Sequence, residues 1–260
     1  MMRRIVILTL VIVALLTSIL VCLFTTEVGL STSLSMLQRW VPALSIEKVT
    51  GRLNQSATLE GLVYRAADQQ QYRINKLILS LSPISLLSGR VTVDELQLDG
   101  IELNLGNSAE KPLEDNTFLL ADLALPIAFN IADLRVSNVS LINESSQKTT
   151  VFTGLSASFS ASGQTLSLKQ LTLQKGAEAS LEIEGIIGLN GTDPTNLNYR
   201  WRLTTSAKPL SAEGQIKGNF ADLTIEQQLL EPVQSRQTIK VTELLSDFNW
   251  TAQAQLAALT

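Results

Sequence analysis

The chain has 260 residues, of which 45% are hydrophobic but only 5% aromatic, and its net charge is −4. The net charge is small, and the sequence has no long basic run that would favour a nucleic-acid partner. The sequence contains no histidine, and its single cysteine, Cys22, lies in an apolar N-terminal run. Because the commonest general base and metal ligand is missing and no phosphate loop or nucleophile elbow is found, we expect neither an enzyme nor a cofactor.

The first predicted element is a transmembrane helix. The uncharged run Ile5–Phe24 follows Arg3 and Arg4, and a helix of about 20 residues spans a hydrocarbon core of roughly 30 Å. The positive-inside rule places the N-terminus in the cytoplasm and the rest of the chain across the membrane. A cleaved signal peptide is the alternative, but the residues after Leu23 offer a poor cleavage site. The anchor residues that we predict are Ile5, Leu10, Leu15, Leu20 and Phe24.

Three segments follow from this pattern. Residues 1–27 form the cytoplasmic N-terminus and the anchor, 28–43 a short amphipathic helix, and 44–260 a β-rich domain. The helix is predicted from apolar residues at helical spacing, which are Leu30, Leu34, Leu37 and Val41. Pro42 ends this helix. Three interpretations stay open: it lies against the membrane, caps the β domain, or continues the anchor helix.

From Leu44 onward the apolar residues alternate with polar ones, which is typical of strands with one apolar face. We find no helix signal between Leu44 and about Lys217. The polar stretch Gly106–Asn116 is predicted to be a surface loop. The clearest hairpin covers Leu181–Leu203, where odd-numbered positions are mainly apolar and even-numbered ones mainly polar. The pairs that we predict for it are Leu189–Leu197, Glu184–Arg202 and Gly185–Trp201.

A pattern of two alternating apolar residues, two spacers and two more apolar residues recurs along the chain. It occurs at Val91–Leu98, 38 residues later at Phe129–Val136 and again at Leu166–Leu173, with an imperfect copy at Leu44–Gly51. Strict alternation would turn the later side chains to the wrong face. Each spacer therefore predicts a β-bulge that restores the face and bends the strand. The repeat favours an elongated, solenoid-like array over a globule.

The apolar face consists mainly of Leu, Ile and Val, with few of the aromatic residues that usually fill a closed core. This composition suits an open trough with a hydrocarbon-like wall. An ordinary sandwich core would produce the same alternation, and the residues alone leave both interpretations open. The candidate lining residues of a trough are Leu77, Leu79, Leu81, Val91, Val93, Leu96, Leu98, Ile101 and Leu103.

Three segments after the predicted anchor resemble the start of the TamB family, within the AsmA-like group. They are Arg39–Leu53 (RWVPALSIEKVTGRL), Leu59–Tyr64 (LEGLVY) and Val93–Ile101 (VDELQLDGI). The resemblance implies an all-β fold, in which an elongated β-taco forms a curled, antiparallel-type sheet with a hydrophobic groove. One N-terminal transmembrane helix would precede this sheet. It also implies a single-pass protein of the inner membrane with its body in the periplasm.

The TamB family is tied to outer-membrane biogenesis through the translocation and assembly module. The resemblance implies a periplasmic bridge that moves phospholipid toward the outer membrane along the groove. The alternative is a scaffold for secretion and assembly of autotransporters and outer-membrane proteins. The implied partners are the inner membrane, phospholipid acyl chains, and the outer-membrane barrel TamA through a C-terminal region absent from this chain. Family members are several times longer, so a fragment, a truncated gene product or a short relative is expected.

Overall fold

The computed structural model describes residues 25–65, 71–86, 88–104, 125–142, 148–190, 192–204, 208–244 and 249–256. Within these residues the chain forms one open, curled sheet and two helices, α1 (Glu27–Trp40) and α2 (Pro83–Leu86). Neither helix is long and apolar enough to cross a membrane. The predicted anchor Ile5–Phe24 and the predicted loop Gly106–Asn116 lie outside the described residues.

The described strands are numbered in chain order. They are β1 (Leu44–Ser45), β2 (Lys48–Arg52), β3 (Ser56–Arg65), β4 (Gln71–Leu81), β5 (Arg90–Asn104), β6 (Leu125–Ile142), β7 (Lys148–Gly163), β8 (Thr165–Lys175), β9 (Ala179–Gly188), β10 (Thr195–Thr204), β11 (Pro209–Asn219), β12 (Asp222–Glu231), β13 (Ser235–Thr242) and β14 (Asn249–Leu256). From β3 to β14 each strand pairs with the next one along the chain, while β1 and β2 both pair with β3.

One junction departs from the predicted antiparallel sheet, because β5 and β6 pair in parallel. A parallel pair needs a long connection in place of a tight turn, and residues 105–124 supply the required length of chain. The pairing sets one copy of the repeat beside the next, with Val91 opposite Phe129 and Leu96 opposite Leu134. The other neighbouring strands pair antiparallel. The described sheet is thus a meander with one parallel junction.

The spacers of the repeat form β-bulges. The pairing shifts around Asp94 of β5, between Ile131 and Leu134 of β6, and between Leu168 and Leu171 of β8. In β6 and β8, two spacer residues lie opposite one residue of the partner strand, so that the apolar residues on both sides share a face. The bulges predicted from the spacing are confirmed in these three copies, whereas the pairing across the imperfect copy Leu44–Gly51 shows no shift.

A second set of irregularities, which are residues with positive φ, lies farther along the strands. It also keeps the apolar residues on one face. Gly100 of β5 has φ +68°, and Asn138, its neighbour on β6, has φ +56°. This left-handed region is open to glycine and tolerated by asparagine. Leu59 and Leu62 of β3, which flank a glycine of the same kind, belong to one apolar cluster although they are three residues apart.

Helix α1 covers the N-terminal end of the apolar face. The Thr26 hydroxyl accepts a hydrogen bond from the Gly29 N–H at 2.9 Å and caps the helix. Leu30 is only 3% exposed and packs with Ala57 and Leu59, with Leu34 beside them. The helix ends at Trp40, two residues before Pro42, as expected from the geometry of the residue before a proline.

The expectation that no helix lies between Leu44 and Lys217 is wrong at α2. Pro83 takes the first helical position, where its fixed φ and missing N–H are favourable. The Ser82 carbonyl accepts hydrogen bonds from the Ser85 N–H at 3.2 Å and the Ser85 hydroxyl at 2.6 Å. A single turn is too short to give a periodic apolar signal.

The predicted register of the Leu181–Leu203 hairpin is also wrong, although the alternation of its faces is correct. Leu197 lies opposite Gly185, not Leu189, and Glu184 lies opposite Asn198. Trp201 lies opposite Leu181 and Arg202 opposite Ser180. The Leu189 N–H bonds the Gln164 carbonyl at 2.7 Å, and the Asn190 side chain accepts the N–H groups of Thr192 and Asp193. The last cross-strand pair toward the turn is Ile186–Asn196, so more residues separate the paired positions than in the predicted hairpin.

No second sheet packs on the apolar face within the described residues, since all their strands belong to one sheet. Among the same residues, no large side chain is fully buried. A β-sandwich would enclose such side chains between two layers. The sandwich alternative is therefore excluded, and the open trough agrees with the structure.

Candidate functional site: the apolar face

The predicted lining residues lie side by side on β4 and β5. All nine are half-buried. Six of them form cross-strand pairs, which are Leu77–Leu98, Leu79–Leu96 and Leu81–Val93. Val91, Ile101 and Leu103 continue the same side of β5, with Ile101 opposite Ile74 and Leu103 opposite Tyr72. We call this side of the sheet the apolar face.

The apolar face continues far beyond the residues that the sequence singled out. It consists of three rows, and in each row the residues lie opposite one another on successive strands from β4 to β13. The middle row is Leu79, Leu96, Leu134, Ala157, Leu171, Ile183, Tyr199, Gly214, Gln227 and Gln237. The first flanking row is Leu81, Val93, Ile131, Phe159, Leu168, Gly185, Leu197, Ile216, Ile225 and Ile239. The second flanking row is Leu77, Leu98, Val136, Leu155, Leu173, Leu181, Trp201, Ala212, Leu229 and Ser235.

The side chains of these rows shield one another. Leu168, Leu197 and Ala212 are 9%, 8% and 0% exposed, although no second layer of the described structure covers them. A flat, uncovered sheet would leave such residues open to water, so the burial indicates that the sheet curls toward its apolar face. Across ten strands spaced about 4.8 Å apart, the rows extend roughly 43 Å.

None of the three rows contains a charged residue. These rows therefore offer no cation for a phosphate and no carboxylate for a metal ion or an amine. It offers hydrocarbon contact over most of its length, which is the chemistry of an acyl-chain surface.

One segment of the apolar face is polar. Both the Tyr199 hydroxyl and the Trp201 indole N–H donate to Gln227 Oε1, at 3.1 and 3.2 Å. Gln227 Nε2 donates in turn to Gln237 Oε1 at 3.2 Å. A Cβ at Gly214 would lie 2.7 Å from the Tyr199 hydroxyl, so the glycine lets the tyrosine reach across β11. Burial raises the pKa of the Tyr199 phenol.

The opposite face of the sheet carries the charges. Over β8–β13 it forms a cavity of about 830 Å³, whose charged lining residues are Lys169, Glu182, Glu184, Arg200, Glu213, Glu226 and Arg236. Arg200 and Glu213 form an ion pair at 3.1 Å, with both side chains largely exposed. The two signs are interspersed, so this cavity has no strong field for a charged ligand. It is a solvated surface.

The helix and the edge strands mark the two ends of the apolar face. At the N-terminal end Leu77 packs against the cluster around Leu30, so α1 partly covers the apolar face there. At the other end Trp250 of β14 is 63% exposed. The predicted anchor residues Ile5, Leu10, Leu15, Leu20 and Phe24 lie outside the described residues.

Together, the single curled sheet and its long uncharged apolar face define an open-sheet β protein with an extended apolar surface. Residues 15–118 match the family model described as TamB, N-terminal domain. The resemblance found in Arg39–Leu53 and its neighbours is thereby confirmed, and the N-terminal portion of the chain is TamB-like. The match ends before β6 and covers less than half of the chain. No curated protein and no solved structure matches the sequence.

The sequence did not reveal the part of the apolar face beyond β5. The repeats at Phe129–Val136 and Leu166–Leu173 were the available signal, because they carry the same spacing as Val91–Leu98. The polar segment had no such signal. Tyr199 and Trp201 were assigned to the correct face, but Gln227 and Gln237 resemble ordinary exposed residues until the pairing of β12 and β13 is known.

Proposed function

We propose that this chain is an inner-membrane-anchored periplasmic section of the translocation and assembly module and moves phospholipid toward the outer membrane. Acyl chains slide along the apolar face while head groups project from the open side. The observation that carries this proposal is the unbroken, uncharged set of rows from β4 to β9. A wall of this kind stabilises each buried methylene by about 0.8 kcal/mol without fixing its position. The lipid is held and yet free to move.

The outer surface of α1 supports a position at the membrane. Leu30 and Leu34 face the sheet, whereas Val28, Met36 and Trp40 are 74%, 61% and 84% exposed. Apolar and aromatic residues on the outer side of an amphipathic helix suit the interface of a bilayer. In the proposed arrangement α1 lies between the membrane and the start of the apolar face, and the segment 1–27 forms the anchor.

A scaffold for outer-membrane protein assembly is the second candidate. Within the described residues, the outer edge of β14 pairs with no strand. An unpaired edge can accept an extended client segment by β-augmentation. In that case the protein would bind peptide backbone at its edge, and the apolar face would have no ligand. The barrel partner TamA belongs to this proposal as well as to the lipid route.

Mass spectrometry of the purified membrane-anchored protein tests the two candidates. The lipid route predicts co-purifying phospholipid, whereas bound client peptide without phospholipid would contradict it. The informative variant is Leu96→Arg, which places a charge on the middle row of the apolar face. A charge against hydrocarbon costs about 2.5–3.5 kcal/mol, so lipid occupancy should fall on the order of a hundredfold.

The matched control is Gln97→Arg, one residue farther along β5 and on the opposite face. It adds the same charge to the same strand and should leave lipid occupancy unchanged. Both variants should melt near the wild-type temperature, because an open trough lets water reach the new charge. If Leu96→Arg unfolds the protein outright, or if both variants lose lipid equally, the apolar face is not the lipid route.

A further inference from the structure

The middle row changes its chemistry at β10. From Leu79 to Ile183 its members are aliphatic, but from Tyr199 onward it contains tyrosine, glycine and two glutamines. The first flanking row stays aliphatic beside it, at Ile216, Ile225 and Ile239. Polar groups in an apolar wall are unfavourable unless they form hydrogen bonds. The glutamines therefore point to a function that aliphatic residues would not serve.

The indole of Trp201 sets the direction of the hydrogen bonds. An indole N–H only donates, so the Gln227 oxygen faces Trp201 and the Gln227 amide nitrogen faces Gln237. Gln237 must then present its oxygen to Gln227. One N–H of Gln227 and both N–H groups of Gln237 have no acceptor among the described residues. The polar segment therefore offers N–H donors to a ligand and carries no charge.

We propose that Gln227 and Gln237 form a hydrogen-bonding site for the ester carbonyl oxygens of an acyl glycerolipid. The chains of this lipid lie on the neighbouring aliphatic residues of the first flanking row. The inference rests on the proposed lipid route and names a subsite within it. Lipid would slide freely along β4–β9 and pause at β12–β13, where its orientation becomes fixed.

The neutrality of the site selects the carbonyl over the phosphate. Protein sites for phosphate oxygens generally use Arg or Lys, whose bonds to an anion are stronger. Arg236 and Lys240 of β13 are exposed and alternate onto the opposite face, away from Gln237. An ester carbonyl is a neutral acceptor located where the acyl chains meet the polar part of the lipid. It matches neutral donors bordered by aliphatic side chains.

The alternative is a purely structural role, in which the glutamines only stabilise the packing of β10, β12 and β13. The two roles differ in one property, since a structural network has no preference for the linkage chemistry of a lipid. The experiment uses diacyl and di-O-alkyl phosphatidylethanolamine of equal chain length. These probes share the head group and the chains, but only the diacyl lipid has carbonyl oxygens. Native mass spectrometry of the full chain gives their relative occupancy.

Wild-type protein should prefer the diacyl lipid about fivefold, which corresponds to about 1 kcal/mol and to one or two net hydrogen bonds. Gln237→Leu should remove this preference while still binding both lipids. Gln228→Leu is the matched control, because Gln228 is exposed on the opposite face of β12, and it should keep the wild-type preference. If Gln237→Leu fails to fold, Gln237→Glu replaces the donors with acceptors and should lose the preference in the same way.

Equal binding of the two lipids by wild-type protein would overturn the inference and leave the lipid route intact. A preference that survives in Gln237→Leu, or in the glutamate variant, would overturn it too. If wild-type protein binds neither lipid, the proposed function itself fails, and the inference fails with it.

Discussion

Leu96 of β5 lies directly opposite Leu134 of β6, and the two residues hold the same place in successive copies of the repeat. Because the two strands run parallel, every apolar residue of one copy meets its counterpart in the next. The bulges of the two copies are also side by side, so the strands bend together. The spacing in the sequence is therefore responsible for the continuity of the apolar face.

The first prediction concerns the bulge of β6. Deleting both spacers, Ala132 and Asp133, makes Ile131 and Leu134 consecutive. This deletion should turn Leu134 and Val136 to the wet face and lower the free energy of unfolding by about 3 kcal/mol or more. Asp133→Ala keeps the number of residues and removes only an exposed ion pair with Arg135 at 2.6 Å, so it should cost less than about 1 kcal/mol. Urea denaturation measures both. Equal losses in the two variants would show that the length of the spacer does not set the face.

The second prediction concerns the kink at Gly100. Gly100→Ala forces an L-residue into φ +68° and brings its Cβ against the Asn75 side chain, 2.9 Å from Cγ. Gly89 also has φ +68° but has open space around it, so Gly89→Ala reports the backbone cost alone, about 1–2 kcal/mol. Gly100→Ala should destabilise the protein more than Gly89→Ala in chemical denaturation. An equal cost would mean that Asn75 moves away freely.

The third prediction concerns acid. Ser137 and Asn138 of β6 donate hydrogen bonds to Asp99 Oδ1 at 2.5 and 2.9 Å, and these bonds lower the pKa of Asp99 below its usual 3.8. Because the folded pKa is depressed, the stabilisation is present above the unfolded pKa and is lost as the pH falls through the folded one. Asp99 is exposed, so the contribution should stay below about 1 kcal/mol.

Denaturation curves of wild-type protein and Asp99→Asn test this contribution. The difference in stability between them should shrink as the pH is lowered from neutral to below 3.8. If the gap between wild type and Asp99→Asn is constant over this range, the two hydrogen bonds do not act on the charged form.

Much of the sheet could be predicted from the sequence, because alternation and spacing are local properties. The predicted lining residues lie side by side on β4 and β5, the alternation of Leu181–Leu203 is correct, and three of the predicted bulges form. That these residues line a lipid groove stays a prediction. The register of that hairpin could not be predicted from its own residues. Leu189 does not pair within the hairpin, and its N–H donates a hydrogen bond to the carbonyl of Gln164, just before β8. The parallel junction was equally hidden, because a repeat fits either a parallel neighbour or one two strands away.

The polar segment shows a different limit. Gln227 and Gln237 become members of the middle row only through the pairing of β11, β12 and β13. Their hydrogen-bond direction then depends on Trp201, which is more than twenty residues away in the chain. No local pattern contains this information, whereas the aliphatic part of the row follows from strand alternation alone.

Site-specific photo-crosslinking in cells tests the central claim most directly. A benzoylphenylalanine placed at Leu134 lies on the middle row of the apolar face, while the same residue at Arg135 lies on the exposed opposite face of the same strand. We expect irradiation to attach phospholipid to the protein at position 134 and not at position 135. Crosslinking of phospholipid at both positions, or only of peptide at position 134, would contradict a lipid route along the apolar face.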